Sequence, residues 1–150
     1  MKAAIYAQYR PDYLNPESIG DQVARCRTAA KEHGLQVLDD HIFSDVVKRT
    51  TQRKRPGLSA LLAAVRDQQV KVVLVDNLTF LVSHSGFPKP IFSELELQGV
   101  RLISAQGGLD TAKEPDKQLV QFLRATYEQR WQDASARQRR RQANLKGERV

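Results

Sequence analysis

Cysteine is nearly absent from this sequence. Cys26 stands alone among 150 residues, so no internal disulfide can form, and no Cys/His group has the spacing of a zinc site. His33, His41 and His84 are scattered, and neither a metal nor another cofactor is expected. Long hydrophobic runs are missing too: there is no stretch of about 18 apolar residues, and the opening MKAAIYAQYRPDY lacks the apolar core of a signal peptide. The reading is a soluble, cytoplasmic protein with no membrane partner. A GxGxxG pattern is also absent, and Gly107-Gly108 lies too far ahead of the next helix to cradle a phosphate. Finally, neither glycine nor proline occurs between Asp116 and Lys146, which permits one long helix.

What the sequence does have is positive charge, unevenly placed. The formal net charge is +7, which favours a polyanionic partner without specifying a fold. From Arg124 to Val150 eight Lys/Arg face three acids, and Lys48 to Arg55 (KRTTQRKR) adds five Lys/Arg with no acid. DNA is the partner this suggests. Arg137, Arg139, Arg140, Arg141 and Lys146 are the candidate contacts on the terminal helix, with Arg53, Lys54 and Arg55 on the loop.

Apolar patterning alternates between strand and helix. KAAIYA (Lys2 to Ala7) suits a buried strand, and Ser18 is a plausible N-cap for a helix that Gly34 stops. Leu35 to Phe43 holds a second strand, and Ser44 reads as a turn residue. Pro56 starts a helix in which Leu58, Leu61, Leu62 and Val65 recur at helical spacing. Val70 to Val75 (VKVVLV) is the clearest central strand, Ile91 to Gln98 a helix closed by Gly99, and Val100 to Ser104 a fourth strand. This order predicts an α/β domain over 1–115 with a parallel sheet flanked by helices, followed by a long basic helix and short tail over 116–150. Leu119, Leu123, Tyr127 and Trp131 fall on one stripe of that helix, which predicts a homo-oligomer, a dimer or a tetramer.

These pieces together resemble the catalytic domain of the serine recombinases (resolvases and invertases), with its long dimerisation helix. The resemblance rests on the strand running into YAQYRPD, Asp21-Gln22, Phe43-Ser44-Asp45, Arg55-Pro56-Gly57-Leu58, Val73 to Leu78 and Gly99-Val100-Arg101-Leu102. Glu128, nineteen residues before Gly147, repeats a spacing similar to that in the family's long helix. The resemblance implies a resolvase-like fold and an activity in which a serine hydroxyl attacks a DNA phosphodiester while guanidiniums neutralise the developing charge.

Against that implied site the sequence departs at several positions. The family's Tyr-x-Arg-x-Ser is matched by Tyr6, Gln8 and Arg10, and its Leu-Asp-Arg-Leu-x-Arg by Leu78, Thr79, Phe80, Leu81, Val82 and Ser83. Gln22, Asp45 and Arg55 are retained. Arginine stays protonated at neutral pH and cannot attack as a nucleophile. Losing a single oxyanion-type donor typically costs about 2.7–4 kcal/mol, so losing the serine and three arginines together predicts a catalytically inactive member. Ser18, Ser44, Ser83 and Ser85 as relocated nucleophiles, and Asp45 with Asp76 as a metal pair, are weaker readings.

The expectation is therefore an inactive, serine-recombinase-like DNA-binding protein, an accessory or regulatory factor in recombination whose partners include DNA and an active serine recombinase. Two alternatives stand beside it: a protein-interaction module that pairs with recombinase subunits without holding DNA, and an active recombinase with a rearranged site. In the family a sequence-reading region normally follows the long helix, and with the sequence ending at Val150 high site specificity is not expected.

Overall fold

The computed structural model describes residues 1–48, 55–81 and 91–148. Four strands form one parallel sheet in the order β2-β1-β3-β4: β1 (Lys2–Tyr9), β2 (Gln36–Val46), β3 (Val72–Val75) and β4 (Arg101–Ser104). Between them run helices α1 (Ile19–Glu32), α2 (Pro56–Arg66) and α3 (Ile91–Leu97), and α4 (Asp116–Glu148) closes the chain. A 3₁₀ turn, Leu78–Phe80, follows β3.

Side chains of a strand alternate between its faces, and here the alternation sorts the core into two layers. Ala3, Ile5, Val72, Leu74 and Ile103 pack against Cys26, Ala29 and Ala30 of α1 on one face. Ala4, Tyr6, Val73, Val75 and Leu102 pack against α2 and α3 on the other. Both faces are covered, which is why β3 reads VVLV without a polar residue. Each such aliphatic side chain, fully buried, contributes about 1.5–3 kcal/mol.

Local chemistry sets the helix ends. The Ser18 hydroxyl accepts from the Asp21 N–H at 3.1 Å, and Gly34 takes φ 65°, the left-handed conformation that ends α1. For α2 the cap comes from a distance: Asp45, at the end of β2, accepts the Gly57 and Leu58 N–H groups at 2.7 and 2.9 Å. That approach requires glycine at 57, because a Cβ there would stand 2.2 Å from the Ser44 carbonyl oxygen.

Two boundaries differ from the sequence expectation. β2 continues through Ser44, which pairs with Ala7 and is not a turn, since the ladder with β1 runs on to Val46. Arg55, read as the end of an exposed basic loop, is only 4% exposed, drawn inside where α2 begins. Arg53, Lys54 and Ser83 lie outside the described residues.

The final helix has 33 residues and spans about 50 Å at 1.5 Å per residue. Its first turns dock on the domain: Val120 and Leu123 pack against the core, and Arg124 pairs with Glu96 of α3 at 2.5 Å. Of the predicted stripe, Leu123 is thus turned inward while Leu119 is half exposed; the side chains of Tyr127 and Trp131 lie outside the described residues. Phe122, which the stripe reading missed, is 69% exposed.

Candidate functional site

The carboxyl ends of β1, β2 and β3 bring the retained and substituted positions into one network. β1 delivers Gln8, with Arg10 just beyond its end, β2 delivers Asp45, and the 3₁₀ turn after β3 carries Thr79 and Phe80. Gln22 of α1 fastens the exit of β1: its amide oxygen accepts the Gln8 N–H at 3.0 Å, and its amide nitrogen donates to the Gln8 carbonyl at 2.8 Å. Gln22 is wholly buried, and both its hydrogen bonds to Gln8 go to backbone.

The Gln8 side chain faces the other way. Its amide nitrogen donates to the Tyr6 hydroxyl at 3.1 Å and the Phe80 carbonyl at 3.5 Å, while its amide oxygen accepts Arg10 Nε at 2.5 Å. The Tyr6 hydroxyl donates to Asp45 at 2.8 Å. Burial, with the neighbouring Asp45 charge, pushes the Tyr6 hydroxyl well above the usual phenol range, so it remains a donor at all ordinary pH.

Arg10 occupies the place where the resemblance puts a serine. Its guanidinium donates to the Tyr13 hydroxyl and the Thr79 carbonyl, each at 3.0 Å, and lies 5.0 and 5.4 Å from the centres of the Tyr13 and Phe80 rings. The residue is 7% exposed. Gln8, Arg10, Thr79 and Phe80 therefore contact one another as one packed group. Arg55 is buried beside them; burial, and the neighbouring Arg10 charge, lower its pKa from the usual value, although an arginine remains charged.

A second network, not anticipated from the sequence, closes the next side of the site. Asp76, fully buried at the end of β3, is gripped by Arg25 of α1 at 2.7 and 2.8 Å and receives the Gln106 amide at 3.0 Å. Arg25 also pairs with Glu17. The Asp76 hydrogen-bond and Coulomb interactions hold the Arg25 pKa up. The sequence offered only a weak signal, an acid at the end of an apolar strand, and nothing identified its partner 51 residues away.

Among the described residues, the remaining candidate groups offer less. Cys26 is buried, its thiol pushed up to about 12, and so is a poor nucleophile. Among the described residues no group of three His, Cys, Asp or Glu could hold a metal, and no helix is long and apolar enough to cross a membrane. Arg137, Arg139, Arg140, Arg141 and Lys146 are all exposed on α4, far along the chain from the cluster.

Comparison with known proteins gives the following. The family model described as resolvase, N terminal domain, matches residues 8–149. The chain is similar in structure to the N-terminal catalytic domain of TP901-1 integrase, with 21% identity and a TM-score of 0.64 over 85% of this chain and 95% of that one. It is similar to a resolvase family site-specific recombinase from Streptococcus pneumoniae, with 16% identity and a TM-score of 0.57 over 100% and 99%. A third likeness, at 23% identity and a TM-score of 0.56 over 82% and 78%, is to the C-terminal catalytic domain of ISC1926 TnpA, an IS607-like serine recombinase. At these identities the structures speak to the fold. Comparison with curated proteins finds no significant match.

Proposed function

The chain belongs to the resolvase N-terminal domain family, and from that membership we propose a serine-recombinase-like protein that holds DNA without cutting it, acting as an accessory or regulatory factor in site-specific recombination. The observation that carries this reading is Arg10. A buried guanidinium, bonded to Gln8, Tyr13 and Thr79, fills the exit of β1 where the family's chemistry requires a hydroxyl. Phe80 and Thr79 supply neither a cation nor an acid for phosphoryl transfer, and Gln8 spends its amide on Tyr6 and Arg10.

DNA contact falls to the basic end of α4, where Arg137, Arg139, Arg140, Arg141 and Lys146 are exposed together. The domain division at 115/116 belongs to the same proposal: the α/β unit carries the altered site and α4 reaches beyond it. Incubation with supercoiled and nicked duplexes, followed by a search for an SDS-resistant protein–DNA complex, tests the reading. The expected result is none; a clear covalent adduct overturns it in favour of an active enzyme with a rearranged site.

A second reading has its own observation. Leu119 and Phe122 are exposed on the first turns of α4, 48% and 69%, and an apolar pair on a docked helix suits a protein partner: a second copy or another recombinase subunit. If DNA retention fails in low salt, this interaction role takes the place of the first.

A further inference from the structure

At the β4 edge of the sheet a cleft of about 400 Å³ lies between α3, β4 and the first turns of α4. Pockets that hold small molecules run from roughly 300 to 1,000 Å³, with mostly apolar walls and a few polar groups that fix orientation. The floor of this cleft is of that kind. Phe92, Leu95 and Leu102 are core residues whose outer edges reach it, and Val100, just ahead of β4, and Val120 of α4 extend the apolar surface. None of the altered positions Gln8, Arg10, Thr79 and Phe80 lines it.

Three charged side chains stand at the rim, and two of them are already matched. Arg101 grips Asp110 at 2.8 and 2.6 Å, and Glu96 pairs with Arg124. Lys117 is left over: it is exposed near the start of α4, and its ammonium makes no ion pair or hydrogen bond among the described residues. The rim and its partners together therefore carry one positive charge in excess. Two neutral groups there have hydrogen bonds to give. The Thr111 hydroxyl accepts the Leu102 N–H at 2.9 Å and keeps its own proton, and the Gln121 side-chain amide, one turn along α4 from Lys117, makes no hydrogen bond among the described residues. An apolar floor with one unmatched cation and two spare donors at its rim suits a ligand with an apolar body and a single negative head.

We infer that this cleft binds a small amphipathic monocarboxylate, its body laid on Phe92, Leu95, Val100 and Leu102 and its carboxylate seated on Lys117, with Thr111 and Gln121 as further donors. A nucleic acid is a poor occupant, because its charge comes in rows of phosphates and Glu96 shares the rim, whereas a monoanion needs only the one cation that is free. Bound there, the ligand joins β4 to the root of α4, the helix on whose far end the proposed DNA contact depends. The site itself stands whether or not α4 holds DNA.

The test is a titration of the full chain, with ¹³C-labelled methyl groups, against phenylbutyrate, with phenylbutanol as the neutral control and inorganic phosphate as the anion without an apolar body. Phenylbutyrate should produce saturable shifts at the methyls of Leu95, Val100, Leu102 and Val120; phenylbutanol should bind about tenfold more weakly at the same methyls, and phosphate should leave them unmoved. Lys117→Met removes the charge and keeps the apolar stem of an exposed residue, so the fold is not at risk. It should weaken phenylbutyrate about tenfold and leave phenylbutanol unchanged, while Lys117→Arg restores the carboxylate's affinity and Lys31→Met, on α1, changes neither. An absence of saturable methyl shifts, equal affinity for carboxylate and alcohol, or a carboxylate affinity indifferent to Lys117→Met overturns the proposal. So do cleft signals that move with protein concentration and that phenylbutyrate does not reverse, since a second copy then fills the cleft.

Discussion

The Arg10 guanidinium lies 5.4 Å from the centre of the Phe80 ring, so two positions that depart from the family motif rest on each other across 70 residues of sequence. Arg10 also donates to the carbonyl of Thr79, a third such position, and Gln8, a fourth, bonds to both Arg10 and the Phe80 backbone. A family arginine at 80 would set two guanidiniums against each other. The substitutions are compatible as a group and would conflict singly with the residues they replace.

A double-mutant cycle should therefore register coupling. Phe80→Arg alone loses the ring beneath Arg10 and adds a like charge, whereas in the Arg10→Ser background neither penalty applies. The expected interaction energy from urea denaturation is about 1 kcal/mol or more, with the double variant more stable than the sum of the singles implies. Strict additivity would show that the two side chains do not communicate.

Gly57 is the described glycine at which an added Cβ finds least room. A methyl group at 57 would meet the Ser44 carbonyl oxygen at 2.2 Å and press toward the Asp45 carboxylate that caps α2. Gly57→Ala should cost about 2–4 kcal/mol in thermal or chemical denaturation despite alanine's better helix propensity. Asp45→Asn turns one of two accepting oxygens into a donor that faces either the Gly57 N–H or the Leu58 N–H and Tyr6 hydroxyl, so it too should cost about 1–3 kcal/mol, through a buried donor left without an acceptor.

Much of the sheet was legible because its determinants are local. Val72 to Val75 is unbroken in apolar character, Ser18 and Gly34 bracket α1, and Pro56 opens α2. The extension of β2 was hidden, because Ser44 and Asp45 break the apolar run after Phe43 and their pairing with Ala7 and Gln8 is set by the ladder with β1. Asp45 reads as a loop acid until α2 is folded beside it. The candidate site was legible as a list of changed positions but not as a structure. Arg10 looked like a lost serine; that it joins Tyr13 to the turn after β3 depends on contacts that no local pattern encodes. Arg55 was misplaced for the same reason, since its neighbours in sequence are basic and its neighbours in space are Tyr6, Asp45 and Arg10.

Acid should weaken the fold through Asp110. Its carboxylate receives Arg101 at 2.8 and 2.6 Å and the Ala112 N–H at 2.9 Å, and the Arg101 hydrogen bonds lower its pKa from 3.8 to about 2. The folded pKa lies below the unfolded one, so the contribution is fully present above about pH 4 and is lost as pH falls toward 2. It amounts to about 2 kcal/mol, and Asp110→Asn should lose it at neutral pH while flattening stability between pH 4 and 2. An unchanged acid limb in that variant would place the dependence on other carboxylates.

Self-association should depend on the exposed apolar residues of α4. Light scattering should give at least twice the 17.0 kDa chain mass, and Phe122→Glu, a change at a 69% exposed side chain, should reduce the mass without lowering helix content. Trp131→Glu tests the stripe predicted from the sequence, to which Phe122 does not belong. If neither variant changes the mass, neither Phe122 nor the stripe forms the interface.

DNA binding should be electrostatic and borne by the far end of the same helix. Arg139, Arg140 and Arg141 are consecutive and exposed, so they spread around α4 and can meet phosphates on more than one side. Each phosphate neutralised releases close to one counterion, and affinity should fall steeply as salt rises. Phosphate contacts carry no base information, so changing the three arginines to alanine should weaken binding to all sequences alike and flatten the logarithmic salt slope by up to about 3 units. Alanine favours helix, so circular dichroism should show α4 intact in that variant, separating lost charge from lost structure. If the triple variant retains duplex DNA as tightly as the parent across the salt series, the basic end of α4 is not the DNA contact, and the exposed apolar face near Phe122 becomes the surface on which the function of this helix depends.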